Sequence, residues 1–92
     1  MDRVFNKVQN KTEYFFLDKE VKEIVKRIIQ KKFLWTVRDC IFTTQYKSVF
    51  LEIRVNTQTL LIYTDKEVAK IILDKETYLE LVLGIQEFVT QG

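Results

Sequence analysis

Apolar side chains recur at helical spacing in one stretch of the first third of the chain. Asp18 stands just before that stretch, where its carboxylate can accept hydrogen bonds from the free backbone N–H groups of a first helical turn. We therefore predict an amphipathic helix over residues 19–32. Its apolar side is formed by residues that lie mostly three or four positions apart: Val21, Ile24, Val25, Ile28, Ile29 and Phe33.

The middle of the chain changes to β-branched and aromatic residues, which favour strands. Residues 34–43, 48–55 and 59–63 are predicted as strands, and the segments that join them are short enough for hairpin turns. A further short strand is predicted at 12–17. The three central strands together indicate an antiparallel meander.

The strand predicted at 48–55 has two chemically different faces. Successive residues of a strand point to opposite sides, and this segment alternates between an apolar set and a set that mixes aromatic and charged side chains. We expect the apolar set to face the core and the mixed set to face away from it. The apolar set is Val49, Leu51, Ile53 and Val55, and the mixed set is Phe50, Glu52 and Arg54.

The end of the chain predicts a second helix, capped by Asp74 and running to about residue 90. The preceding segment, 66–73, has two interpretations. The motif Asp-Lys-Glu-Val that begins at Asp65 repeats the opening of the first helix, whereas the later residues alternate as a strand does. The expected fold is a small single α+β domain spanning residues 1–92. In it, an antiparallel meander sheet of three to four strands packs against an N-terminal and a C-terminal helix.

The composition supports a folded domain and argues against several kinds of chemistry. With 47% hydrophobic residues and a net charge of +2, the chain has enough apolar material for a core and no strong basic excess. It has no histidine, and its one cysteine, Cys40, falls in a predicted strand, where a thiol is usually an inert small hydrophobe. Its 2 glycines cannot form a phosphate-binding loop. We therefore expect no enzymatic activity, no cofactor, no bound metal and no small-molecule substrate.

Location and origin have indirect signals. The lone cysteine cannot form an intramolecular disulfide, the first residues lack the basic-then-apolar layout of a secretion signal, and no apolar run approaches the ~18 residues that span a bilayer. A cytoplasmic protein without a membrane partner is expected. Lysine, isoleucine and phenylalanine are plentiful while Ala69 is the only alanine, which suggests an AT-rich genome such as that of a phage or mobile element.

The predicted C-terminal helix is apolar over more of its circumference than one sheet can cover. Leu79 and Leu83 lie outside the arc expected to face the sheet, and Gln86 lies along the same flank. Gly84, which weakens a helix by about 1 kcal/mol relative to alanine, is explained if another backbone approaches closely there. Either the fold wraps the helix on two sides, or a second chain covers Leu79 and Leu83. The second interpretation predicts a protein interface at these residues. We therefore expect an adaptor, inhibitor or regulatory subunit that pairs with itself as a homodimer or with another protein.

The alternative function is nucleic-acid binding, because aromatic residues interleaved with arginine can stack on bases and lysines can neutralise phosphates. Glutamates accompany the lysines of the first helix, however, as on a solvated surface with salt bridges between neighbouring turns. The residues assigned to this alternative are Arg38, Phe50 and Arg54 on the sheet and Lys22, Lys26 and Lys31 on the first helix. Cys40, Phe42 and either Ile62 or Tyr63 are expected on the same sheet face.

Overall fold

The computed structural model of the protein describes residues 18–91, so the strand predicted at 12–17 lies outside the described residues. Within the described range the chain forms two α-helices, six β-strands and one 3₁₀ helix. In chain order these are α1 (Asp18–Lys31), β1 (Trp35–Arg38), β2 (Ile41–Tyr46), β3 (Val49–Arg54), β4 (Thr59–Tyr63), β5 (Val68–Ile72), α2 (Lys75–Ile85), the 3₁₀ helix (Gln86–Phe88) and β6 (Val89–Gln91).

The described strands form one sheet in the order β5-β4-β3-β2-β1-β6. Strands β1 to β5 pair with one another in antiparallel fashion, as expected of a meander. β6 pairs with the other edge of β1 and runs parallel to it. The α+β class is therefore confirmed, while the expectation of three to four antiparallel strands is wrong. The sheet is larger because segment 34–43 spans two strands, segment 66–73 contains a strand rather than a helix, and the chain adds a strand after α2.

Both helices pack against the same face of the sheet, called here the inner face. Leu51 and Ile53 are 5% and 0% exposed on that face, which confirms that the apolar set of β3 points to the core. Burial of this apolar surface is the main favourable contribution to folding. The core cluster contains Val25 and Ile28 from α1, Tyr78, Leu81 and Ile85 from α2, and Trp35, Leu51, Ile53, Leu60, Ile71 and Leu73 from the strands and the residue after β5.

A tight turn at Asp39 and Cys40 separates β1 from β2. Both residues have positive φ, at 52° and 64°, and Arg38 pairs with Ile41 directly across the turn. Two successive residues with positive φ match the right-handed twist of the strands they join. The prediction of a single strand over 34–43, with Cys40 inside it, is therefore wrong, because Cys40 lies exposed on the turn.

The second helix is shorter than predicted. α2 ends at Ile85 rather than near residue 90, and a 3₁₀ turn leads into β6. The β6 strand pairs with β1, and Thr90 Oγ1 donates a hydrogen bond to the backbone oxygen of Trp35 at 3.3 Å. Val89 packs against the core from this strand. The adjacent β-branched residues Val89 and Thr90 favour a strand, a signal that the helical spacing of the preceding apolar residues obscured.

Candidate interaction surfaces

The solvent side of α2 carries two exposed leucines, called here the leucine stripe: Leu79, 43% exposed, and Leu83, 66% exposed. They lie four positions apart and are therefore neighbours on one side of the helix. Leu83 also borders an open concavity that it shares with Gly84, Gln86 and Glu87. The residues predicted to form a protein interface thus lie together on the outer side and at the C-terminal end of α2.

A capped N-terminus fixes where α2, and with it the leucine stripe, begins. The Asp74 carboxylate accepts a hydrogen bond from the backbone N–H of Thr77 at 2.7 Å, which confirms the predicted cap. This hydrogen bond, helped by the nearby positive charge of Lys22 on α1, lowers the pKa of Asp74 below its usual value. Asp18 differs from the prediction, because it lies within the first turn of α1, where its negative charge still favours the positive end of the helix.

Gly84 lies against α1 of the same chain. A Cβ atom at this position would come within 2.6 Å of Ile29 Cδ1 and 2.8 Å of Ile29 Cγ1, much closer than van der Waals contact allows. The close approach that this glycine was expected to permit is therefore made by a side chain of the protein's own first helix. Contact with a second chain is not needed to explain the glycine.

The sheet face opposite the helices, called here the outer face, carries aromatic, apolar and charged side chains. As predicted, the mixed set of β3 points to this face: Phe50 pairs with Tyr63 of β4, and Glu52 pairs with Leu61. Leu61 is 6% exposed, yet it does not belong to the inner-face cluster. The outer face therefore has a buried apolar residue of its own, beside the charged ones.

Glu52 is the centre of a polar network on the outer face. Its carboxylate forms an ion pair with Arg54 and accepts a hydrogen bond from the Tyr63 hydroxyl at 3.4 Å. The Glu52 side chain is 12% exposed and that of Arg54 is 51% exposed, so one partner is sheltered while the other reaches solvent. The hydrogen bond to Glu52 raises the pKa of Arg54, and burial, with the Glu52 charge, raises the pKa of Tyr63. Arg54 therefore stays charged and Tyr63 stays protonated at neutral pH.

The residues assigned to nucleic-acid binding fall on opposite sides of the molecule. Arg38, Phe50 and Arg54 are on the outer face, where the two arginines flank Ile41 as its pairing partners from β1 and β3. The assigned lysines of the first helix are exposed on α1, which packs on the inner face, so the sheet separates the two sets. Those lysines are Lys22, Lys26 and Lys31.

Two further expectations for the outer face are wrong. Phe42 pairs with Ile53 and packs against the inner-face cluster, and Cys40 lies on the turn between β1 and β2. The two-residue turn restarts the alternation of side chains, which a single uninterrupted strand would have carried through. Of the two candidates from the next strand, Tyr63 faces outward, whereas Ile62 packs against the core.

Leu61, Val68 and Lys70 also face outward and were not predicted. Leu61 pairs with Lys70, and Val68, which is 4% exposed, pairs with Tyr63. The strand that contains Leu61 has the sequence Thr-Leu-Leu-Ile-Tyr, a short apolar run without alternation. Such a run is typical of a strand buried on both faces. That run was the signal in the sequence that the outer face is partly sheltered.

Within residues 18–91, no group of three or more His, Cys, Asp and Glu side chains could hold a metal ion. In the same part of the chain, no helix combines the length and the apolar character needed to cross a bilayer. Comparison with models of protein families, with curated proteins and with solved structures finds no match to this chain. The leucine stripe and the outer face are therefore the two surfaces of the described residues from which a function can be inferred.

Proposed function

We propose that this protein is a small non-enzymatic interaction module, acting in the cytoplasm as an adaptor, inhibitor or regulatory subunit, and that it pairs with a second copy through the leucine stripe. The exposure of Leu79 and Leu83 is the observation that carries the proposal. Leu81 and Ile85 of the same helix are 0% and 2% exposed, so α2 is already anchored to the sheet by its inner side. Packing within residues 18–91 therefore gives no reason for the leucine stripe.

The energetics favour an interface that extends beyond the stripe. Removing apolar surface from water stabilises association by roughly 25 cal/mol per Å² before the costs of association are subtracted. Two leucines fall short of the roughly 800 Å² per partner that a stable interface buries. Gln86 and Glu87, which border the concavity beside Leu83, supply polar groups suited to the rim of an interface. Twofold pairing is the simplest arrangement, because one patch then covers both copies.

The proposal is tested by introducing charge into the stripe. The double variant Leu79→Glu with Leu83→Glu is expected to sediment as a monomer at protein concentrations where the wild type is a dimer, because pairing would bury carboxylates without partners. Circular dichroism is expected to show native secondary structure, since both positions are exposed in the single chain. Sedimentation velocity over a range of concentrations measures the change.

The matched control is Lys26→Gln with Lys31→Gln, which lowers the net charge by the same amount on the exposed side of α1. This control is expected to leave the dimer intact. If both double variants dissociate equally, net charge rather than the leucine stripe governs association. If the stripe variant remains a dimer, another surface forms the interface and the proposal is wrong.

Nucleic-acid binding is the second candidate function, supported by the common position of Arg38, Phe50 and Arg54 on the outer face. Two observations weigh against it: Glu52 already pairs with Arg54, and the lysines of α1 are on the other side of the sheet. Fluorescence anisotropy with a single-stranded oligonucleotide at about 50 mM salt is the test, because phosphate contacts are strongest at low salt. Binding that is lost in Arg38→Gln with Arg54→Gln would support this function, and no binding would remove it.

A further inference from the structure

The outer face contains a concavity of about 430 Å³ formed by side chains of β3, β4, β5 and the turn after β3. Its apolar lining includes Leu61 and Val68, which are 6% and 4% exposed, and Ile72. The volume and the partly apolar lining are in the range of pockets that hold small molecules. This concavity is separate from the leucine stripe, which lies on a helix of the inner face.

The charged side chains that line this concavity are basic. Arg54 and Lys70 both line it, and no acidic side chain of the described residues does. The two cations project from β3 and β5, which lie on either side of β4 and are therefore about 10 Å apart across the sheet. Arg54 pairs with Thr59 and Lys70 pairs with Leu61, so the two cations are offset by two residues along the strands and Leu61 lies between them. Glu52 also pairs with Leu61, and its carboxylate offsets one of the two positive charges. A ligand in this position meets a net positive charge with apolar surface beneath it.

The Arg54 side chain is held in place by the network around Glu52. The Nε atom of Arg54 donates to Glu52, and Tyr63 donates to the second carboxylate oxygen of the same residue. This arrangement uses one edge of the guanidinium group and leaves its terminal N–H groups for a further acceptor. A sheltered carboxylate in the middle of a sheet face costs desolvation, and a buried ion pair is weak evidence for stability. The position of Arg54 at the edge of the concavity is a functional reason for keeping the sheltered carboxylate despite its desolvation cost.

We propose that the concavity on the outer face binds a small organic anion in which one carboxylate is attached to an apolar body. The carboxylate lies between Arg54 and Lys70, and the apolar body covers Leu61 and Val68. Glu52 is a positioning residue, since it acts through Arg54. This inference is independent of the leucine stripe, so either proposal can fail while the other stands.

Octanoate is the probe for this site. Titration of the full chain with octanoate, followed by amide chemical shifts in ¹H–¹⁵N spectra, is expected to give saturable changes confined to β3, β4 and β5. Butyrate is expected to bind more weakly, because each methylene group removed lowers the affinity about threefold to fourfold. This factor corresponds to about 0.8 kcal/mol of binding free energy. Octanol is expected to bind more weakly than octanoate, because it lacks the carboxylate.

Substitutions locate the carboxylate. Arg54→Gln is expected to weaken octanoate binding by about tenfold, and Lys70→Gln by about threefold, because a guanidinium group can donate two hydrogen bonds to one carboxylate whereas an ammonium group acts as a point charge. Lys26→Gln removes a positive charge from α1 and is expected to leave binding unchanged. Because Arg54→Gln leaves Glu52 without its cation and can therefore impair folding, Lys70→Gln is the second test. Lys70 makes no ion pair with any residue in the described part of the chain.

Three outcomes would overturn the proposal. The first is the absence of saturable shifts with octanoate. The second is equal affinity for octanoate in the wild type and in folded Lys70→Gln and Arg54→Gln proteins. The third is a set of shifts centred on α2, which would assign octanoate to the leucine stripe as a nonspecific apolar contact.

Discussion

The two helices lie side by side on the same face of the sheet, but they present different surfaces to solvent. Every exposed residue of α1 is polar or charged, from Asp18 to Lys31. α2 exposes Leu79 and Leu83 among its charged residues. Both helices bury an apolar side against the same core, so packing on the sheet cannot explain the difference between their outer sides.

The comparison separates two reasons for an apolar residue on a helix. On α1, Val25 and Ile28 serve the core and nothing apolar remains fully exposed. On α2, Leu81 is buried in the core, whereas Leu83, two positions later, is exposed to solvent. The solvent side of α1 shows that a helix of this fold needs no exposed apolar residue. The exposed leucines of α2 are the observation on which the proposed pairing with a second copy rests.

The largest expected effect comes from substituting one leucine on each side of α2. Leu81→Ala is expected to lower the free energy of unfolding by about 2–5 kcal/mol, because it empties a fully buried position. Leu83→Ala is expected to change it by less than about 0.5 kcal/mol, because that side chain is mostly exposed in the single chain. Urea unfolding at low protein concentration, where association is weak, measures both. Similar losses for the two variants would mean that Leu83 belongs to the core.

The next effect concerns the contact that joins the two helices. Gly84→Ala is expected to destabilise the fold by about 1–2 kcal/mol, since overpacking against Ile29 outweighs the gain in helix propensity. The measurement is again the free energy of unfolding. A stabilised Gly84→Ala protein would show that Ile29 moves aside at little cost.

Ile29→Ala provides the control for the glycine substitution. In the Ile29→Ala background the obstructing atoms are gone, so adding Gly84→Ala is expected to stabilise the protein by up to about 1 kcal/mol. The double-mutant cycle thus predicts a change of sign. If Gly84→Ala destabilises both backgrounds equally, the glycine answers a requirement other than the approach of Ile29.

The smallest expected stability effect concerns the N-terminus of α2. Asp74→Ala is expected to lower the melting temperature by a few degrees, because it removes the acceptor for the Thr77 N–H. Asp74→Asn keeps an acceptor and is expected to lose less. Thermal unfolding followed by circular dichroism measures both variants.

The pH dependence of this cap follows from the lowered pKa of Asp74. A carboxyl whose pKa is lower in the folded state stabilises the fold above its unfolded pKa of about 3.9, and this contribution is lost as the pH falls through the folded pKa. The wild type is therefore expected to lose its advantage over Asp74→Asn at acid pH. A difference that stays constant down to that range would show that the charge of Asp74 contributes nothing.

The sequence predicted the elements whose side chains follow one clear period. α1, β3 and the cap at Asp74 were found because spacing, alternation or a capping residue indicated them locally, whereas β4 was found from its apolar and aromatic composition. The undecided segment 66–73 resolves as a strand because β4 offers it a neighbour, and residues that pair in space cannot be read from local spacing.

The missed features depend on geometry that one sequence segment does not encode. The turn at Asp39 and Cys40 lacks a glycine, so nothing marked the left-handed conformation that divides β1 from β2. The parallel pairing of β6 with β1 joins residues more than fifty positions apart, as the bond from Thr90 to Trp35 illustrates. For the candidate surfaces, helical spacing identified the leucine stripe. The concavity that Arg54 and Lys70 line could not be predicted in this way, because it depends on the register of β3, β4 and β5.

The most direct measurement is the molar mass of the wild-type protein by light scattering across an eluting size-exclusion peak. We expect a molar mass of twice the chain mass of 11.1 kDa, which falls towards the chain mass on dilution. A monomer at every concentration would contradict the proposal that two copies pair through Leu79 and Leu83.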